Sequence, residues 1–218
     1  MSPFLRFCSR ATTGGGLAWR NSPRWPVARR KLPDWLMNAS LLARTAAFLL
    51  AAAAGLLGAA WGQPLVGPAV AAIVLVGHVW TLRNPLRQLR PLFVIAVAGT
   101  AAESAWIAAG LYAPAGAMRG SLLCPLWITA MWLNAAVFMQ GVLAKRVPLR
   151  LAAPMGAAVA VATALLADGV GAILVAWPLA VALLVLAAYG AVASPLAMRL
   201  IAAAEEPITA AAGPADPS

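Results

Sequence analysis

Residues 92–112 read LFVIAVAGTAAESAWIAAGLY. At a rise of ~1.5 Å per residue a helix of that length reaches ~32 Å, enough to cross a hydrocarbon core of ~30 Å. One carboxylate, Glu103, falls near the middle of the run. In water it would be ordinary. Within a bilayer it costs roughly 2.5–3.5 kcal/mol on insertion scales, so it needs a partner or a proton. The stretch therefore decides the solvent of the fold and marks the first residue to explain.

The rest of the chain agrees. Of 218 residues, 63% are hydrophobic and 10% charged, against roughly 25% charged in soluble domains. Mean hydropathy is +0.85. A water-soluble domain of this size could not hide so much apolar surface, so lipid is the solvent that fits. The formal net charge of +10 does not point to nucleic acid. Its cations fall between apolar runs instead of forming one stripe, as loops on the cytoplasmic side of a membrane would have them.

Before the first span, residues 1–36 carry seven cations and three consecutive glycines, Gly14 to Gly16. They read as a basic tail without stable structure, or as sequence upstream of a true start at Met37. Apolar runs follow at 39–60, 65–82, 92–112 and 122–144, and a double-length run at 151–193. Asp168-Gly169-Val170-Gly171 splits that last run into a helical hairpin. Trp177-Pro178 is predicted to kink the sixth helix. Starting at Met37, the first run would also pass for a cleaved signal peptide. Ala51, Gly55 and Ala59 form a small-residue face on the first span suited to close helix packing.

The expected architecture is therefore all-α, a polytopic bundle of six transmembrane helices over residues 37–198, with residues 199–218 a disordered tail. Orientation follows from Lys and Arg. One side receives seven in the N-terminal tail, Arg83, Arg87 and Arg90 in the first basic loop, Lys145, Arg146 and Arg150 in the second, and Arg199. The other side receives Arg119 alone, and Arg44 lies inside the first span. Both termini are predicted to be cytoplasmic. Trp35, Trp80 and Tyr189 would then sit at the inner interface, and Trp61, Tyr112 and Trp127 at the outer one. Cys8 and Cys124 would lie on opposite sides, which excludes a disulfide between them.

With that topology the intramembrane polar residues sort into two layers. Glu103 and Asn134 share the middle; Arg44, His78 and Gln140 lie ~6–8 Å from the cytoplasmic end at 1.5 Å per residue. Ala96, Gly99, Trp106 and Gly110 share the Glu103 face and would let a neighbouring helix close over the carboxylate. Glu103 is then a protonated acid donating to Asn134, or an ionised partner of Arg44, and both readings stay open. Glu103 and His78 are the candidate catalytic residues, with Arg44, Asn134 and Gln140 as the surrounding polar network. Arg83, Arg87 and Arg90, at i, i+4 and i+7, form a weaker candidate contact for lipid phosphate.

A single histidine excludes histidine-cluster metal sites and HExxH metalloproteases. The chain has no G-x-S-x-G elbow, Walker A loop or dinucleotide fingerprint. No metal or cofactor is expected. Asn38, Gly58-Ala59, His78, Glu103, the stretch from Pro125-Leu126-Trp127 to Met131-Trp132-Leu133, and GVGAI at 169–173 together resemble the bacterial family DUF2878. The resemblance covers roughly residues 37–190 and implies a small polytopic inner-membrane protein whose biochemical function is not established. Where it leads one to expect a His-Ser pair late in the fourth span, this chain has Gln140-Gly141.

The functional expectation is an inner-membrane protein acting on a lipid-like substrate or a proton through a buried Glu103/His78 site. Its partners would be the bilayer, anionic headgroups at the cytoplasmic loops, and other membrane proteins. Whether it is an enzyme stays open. A small-solute or proton-coupled transporter and a non-catalytic membrane scaffold are the two other classes. An enzyme calls for a lipid-facing cleft that reaches Glu103 or His78, and a scaffold calls for none.

Overall fold

The structure, a computed structural model, describes residues 34–82, 84–115 and 124–205; of residues 34–37 it describes the backbone alone. Among these are six helices: α1 (Asp34–Ala60), α2 (Val66–Val79), α3 (Pro85–Ala108), α4 (Leu126–Arg146), α5 (Leu149–Gly169) and α6 (Leu179–Glu205). A two-stranded antiparallel sheet, β1 (Tyr112–Pro114) with β2 (Ile173–Val175), was not foreseen. Five helices are long and apolar enough to cross a membrane; α2, with 14 residues, is shorter. Large apolar side chains such as Leu50, Ile73, Val97, Leu184 and Val192 point outward from the bundle. Exposed in such number they need a lipid surround, since a soluble monomer rarely carries so extensive an apolar surface.

Small residues set how closely the helices approach. On the predicted small face of α1, Ala51 and Ala59 are 3% and 2% exposed. Between them Gly55 meets α2: a Cβ on Gly67 would stand 2.5 Å from the Gly55 Cα. Eleven residues on, Arg44 of α1 and His78 of α2 flank the same glycine of α4, Gly141. The two helices thus hold one antiparallel register over their shared length. The hairpin of α5 and α6 closes the same way, at Gly156 and Gly190.

The expected hairpin at Asp168 is present, with two differences. After α5 the chain turns at Gly171 (φ +76°) and runs extended as β2. Tyr112 pairs with Val175 and Pro114 with Ile173. Pro114 disfavours helical geometry at Ala113, and Ile and Val suit a strand. Asp168 accepts the Val175 N–H at 3.2 Å. The second difference concerns Trp177-Pro178, which does not kink the sixth helix. It precedes it, the Pro178 carbonyl accepting the Val181 and Ala182 amides at 2.9 and 3.1 Å. At the far end α6 continues through Arg199 to Glu205, past the expected boundary at residue 198.

One apolar cluster packs Leu56, Trp127, Ala167 and Leu186 beneath the sheet. The other packs Leu92, Val137, Ala197 and Ile201 toward the opposite end. Trp61 and Trp80 are exposed, as interfacial anchors would be. Tyr112 and Trp127, expected at the outer interface, are instead buried at 5% and 2% exposure. The N-terminal tail up to residue 33, Arg83, Arg119 and residues 206–218 lie outside the described residues, and so does the Trp35 side chain.

Candidate functional site at the His78 end of the bundle

Helix α4 is not uniform. Residues Met139–Leu143 form a π-helical turn, a deviation that often sits at functional positions. It brings Gln140 and Gly141 against α1, α2 and the start of α3. Gln140 is 1% exposed and His78 8%. His78 Nε2 and Gln140 Oε1 are 2.8 Å apart, and Gln140 Nε2 donates to the Gln88 carbonyl at 3.0 Å. That second bond fixes the amide orientation, so Oε1 is the acceptor and His78 Nε2 carries the proton. In the neutral ring Nδ1 is then the acceptor. Thr81 Oγ1 donates to the His78 carbonyl at 2.7 Å.

Arg44 lies across this turn. A Cβ on Gly141 would stand 2.7 Å from Arg44 Nη1 and 3.7 Å from His78 Cε1. The glycine therefore makes room for the guanidinium beside the imidazole. Around them opens a polar cavity of about 380 Å³, whose walls include Arg44, His78, Arg87, Gln140, Lys145 and Glu205. Three of these side chains are basic and one is acidic. A second, mostly apolar groove of about 320 Å³ runs between α1, α2 and α4 past Ala47, Phe48, Ile73, Asn134 and Phe138. Arg44, His78 and Thr81 line both spaces. The rings of Phe48 and Phe138 stack in the groove with centroids 4.4 Å apart.

Glu103 belongs to a different place. It lies five residues before the end of α3 at Ala108, not at mid-span. One carboxylate oxygen accepts from the Tyr112 hydroxyl of β1, and the other from Trp132 Nε1 at 3.2 Å. Trp132 reaches it because Gly99, one turn earlier on α3, has no side chain: a Cβ there would stand 2.2 Å from the indole. Tyr189 packs edge-on against Trp106 and Trp132, at 6.1 and 5.8 Å between centroids. Glu103 thus ties the sheet to the α3–α4 pair. Glu103→Ala would leave two largely desolvated donors unmatched, each costing about 1–3 kcal/mol. A clearly lowered unfolding temperature in detergent is the expected result, with Glu103→Gln, which keeps one acceptor, in between. An Ala variant that melts like wild type would show that the carboxylate does not hold the sheet.

These placements correct the expected partnerships. Asn134 does not meet Glu103; its Nδ2 donates to the Phe48 carbonyl of α1 at 3.0 Å. Trp132 and Asn134 are two residues apart on a helix, hence ~200° apart around its axis, so only one of them can face α3. Arg44 is beside His78, not Glu103. The Glu103/His78 pair is divided between the two ends of the bundle, while the layer of Arg44, His78 and Gln140 is brought together. Gly110, at φ +70°, lies beyond the helix and off the Glu103 face. Tyr189 sits in the Glu103 cluster instead of at the inner interface.

A family model described as a protein of unknown function, DUF2878, covers residues 41–196. The chain belongs to the DUF2878 family. Comparison with curated proteins and with solved structures found no match. In this DUF2878 chain the Gln140-Gly141 pair, where a His-Ser pair was expected, is the part of α4 that touches His78 and Arg44.

Of the arginine row, Arg87 lines the polar cavity, Arg90 is exposed, and Arg83 lies outside the described residues. Sequence reasoning passed over Lys145, Gln88 and Glu205 at this site, and Tyr112 and Trp132 around Glu103. Lys145 had a signal, since it directly follows the apolar run that holds Gln140; the others depend on which way their helices face. Among the described residues, two buried side-chain polar atoms have no hydrogen-bond partner, Trp106 Nε1 and Asn134 Oδ1. No group of three or more His, Cys, Asp or Glu side chains among the described residues could hold a metal.

Proposed function

We propose that this protein is a six-pass protein of a bacterial inner membrane, with both termini cytoplasmic, that binds a lipid-like amphiphile at its cytoplasmic end. The single observation that carries the reading is the adjacency of two unlike spaces. A cation-lined polar cavity and an apolar groove meet at Arg44, His78 and Thr81. A small polar solute would use the first space and leave the second idle. An amphiphile uses both, its head among the cations and its chain against Phe48, Ile73 and Phe138. Exposed Ile73 on the groove wall favours entry from the lipid side. A pure scaffold needs no such cleft. The chemistry centres on His78, whose ring is oriented by Gln140 and whose acceptor nitrogen is in reach of a bound head. The Glu103 end serves to hold the sheet against α3 and α4.

Six passes are supported by the register of α1 and α2. Although α2 spans only ~21 Å at 1.5 Å per residue, it carries the chain from the Gly55–Gly67 contact to the Arg44–His78 level. The following residues 80–82 add depth, and a short span is accommodated by local bilayer thinning. The lysine and arginine asymmetry supports the orientation. Reporter fusions after Arg90 and Arg150 are expected to report the cytoplasm and one after Arg119 the opposite side; the reverse pattern overturns the topology. The binding reading is tested by extracting lipid from protein purified in mild detergent. A lipid molecule retained by each chain is the expected outcome, and protein that carries none at full fold overturns it.

A further inference from the structure

Two polar groups that line both the cavity and the groove have nothing on them. Among the described residues the Arg44 guanidinium makes no hydrogen bond or ion pair, and His78, whose Nε2 is taken by Gln140, makes none through Nδ1. Neither group is shut in. The buried side-chain polar atoms without a partner, among the described residues, are Trp106 Nε1 and Asn134 Oδ1 alone. The Arg44 nitrogens and His78 Nδ1 are therefore open to the spaces that these residues line. Arg44 lies within the apolar part of α1, Asn38–Ala60. A guanidinium inside a span is costly and is kept where it meets a partner or a water-filled space. Its Cδ and Nη1 both lie close to Gly141, whose missing side chain clears the place beside the imidazole.

The two open groups ask for different things. Arg44 offers only donors, in a fork that fits phosphate. His78 Nδ1, in the neutral ring, offers an acceptor. A Cβ on Gly141 would stand 2.7 Å from Arg44 Nη1 and 3.7 Å from His78 Cε1, the carbon bonded to Nδ1, so those two atoms are separated by no more than the sum of these lengths. One head can touch both groups, with a hydrogen bond of ~2.8 Å on each side. We infer, resting on the amphiphile reading above, that the ligand is an anionic phospholipid with a free hydroxyl in its head, the phosphate accepting from Arg44 and the hydroxyl donating to His78 Nδ1. A carboxylate, or a phosphate capped by an alkyl group, would satisfy Arg44 and leave Nδ1 without a donor. A choline head has no hydroxyl and would bring a second cation beside the guanidinium. Phosphatidylglycerol has both required features.

The test uses the full chain in detergent and three lipids with the same acyl chains: phosphatidylglycerol, phosphatidylpropanol and phosphatidylcholine. The first two carry the same charge and differ in the head hydroxyls. Wild type is expected to bind phosphatidylglycerol about tenfold more tightly than phosphatidylpropanol, the worth of roughly one hydrogen bond, and phosphatidylcholine more weakly than either. His78→Phe is expected to bring the first two affinities together while both still exceed that for phosphatidylcholine. Arg44→Met is expected to remove the advantage of both anionic lipids over phosphatidylcholine. Equal wild-type affinity for phosphatidylglycerol and phosphatidylpropanol overturns the hydroxyl inference while the amphiphile reading stands. Phosphatidylcholine bound as tightly as phosphatidylglycerol overturns the anionic class in the same way. Glycerol phosphate is expected to compete only at far higher concentration; competition as strong as that of the lipid would assign the cavity to a soluble phosphate and overturn the lipid class. Binding of none of the three lipids, nor of any co-purifying lipid, overturns the amphiphile reading itself. The wild-type ratios decide the inference even if a variant fails to fold.

Discussion

Gly156→Val is expected to leave almost no folded protein in the membrane, whereas Gly169→Ala should accumulate like wild type. A Cβ at 156 would stand 2.2 Å from the Gly190 carbonyl oxygen and 2.3 Å from Ser194 Oγ; one at 190 would stand 2.4 Å from the Gly156 carbonyl. The obstacle on both sides is helix backbone, which cannot swing away as the end of a side chain can. The helices would have to separate along the whole hairpin. Overpacking typically costs 1–3 kcal/mol, and more where nothing gives. In a bilayer the loss is not offset by apolar burial, because lipid solvates separated helices as well as it does paired ones, and close packing is what joins them. Near Gly169 nothing lies within 4 Å of an added Cβ. Accumulation in the membrane fraction and melting in detergent measure the contrast. Normal levels and melting of Gly156→Val would show that the hairpin does not depend on this contact.

That contact also marks the limit of what the sequence discloses. Existence and order of the helices were legible, because apolar runs of membrane length leave few alternatives. The hairpin at Asp168 was legible from a turn signal placed midway in a run of double length. Gly55 was legible as a packing position because Ala51 and Ala59 repeat it. Gly156 and Gly190 were not singled out, since in an alanine-rich helix a lone glycine on one face resembles its neighbours. The sheet was hidden because each strand is three residues long, and its partners are about sixty residues apart in the chain.

At the site, depth was legible and direction was not. Counting residues from the loops placed Arg44, His78 and Gln140 in one layer, and the structure brings them to one cavity. The same counting put Asn134 beside Glu103, because it measures height along a helix and says nothing of rotation about it. Rotation is set by which small residue a large one rests on. Trp132 lies on Gly99 and so takes Glu103, which leaves Asn134 to face α1. The expected span from 92 to 112 also set Glu103 at its centre; the helix starts earlier, at Pro85, and ends at Ala108, which moves the carboxylate toward one end.

Gly77→Phe tests the central claim, that the adjoining cavity and groove hold an amphiphile. Gly77 lines the groove, and nothing stands within 4 Å of a Cβ added there. A phenyl ring has open space to start into the groove from there, and phenylalanine is a better helix former than glycine by roughly a few tenths of a kcal/mol. Ala43→Phe, on α1 and lining the same groove, reinforces the plug. The measurement is the lipid retained per chain after identical purification, read by native mass spectrometry alongside the melting temperature. The account predicts that wild type carries a bound lipid, and that the plugged variant carries none while melting at the same temperature or higher. A well-folded plugged variant that retains as much lipid as wild type would contradict it.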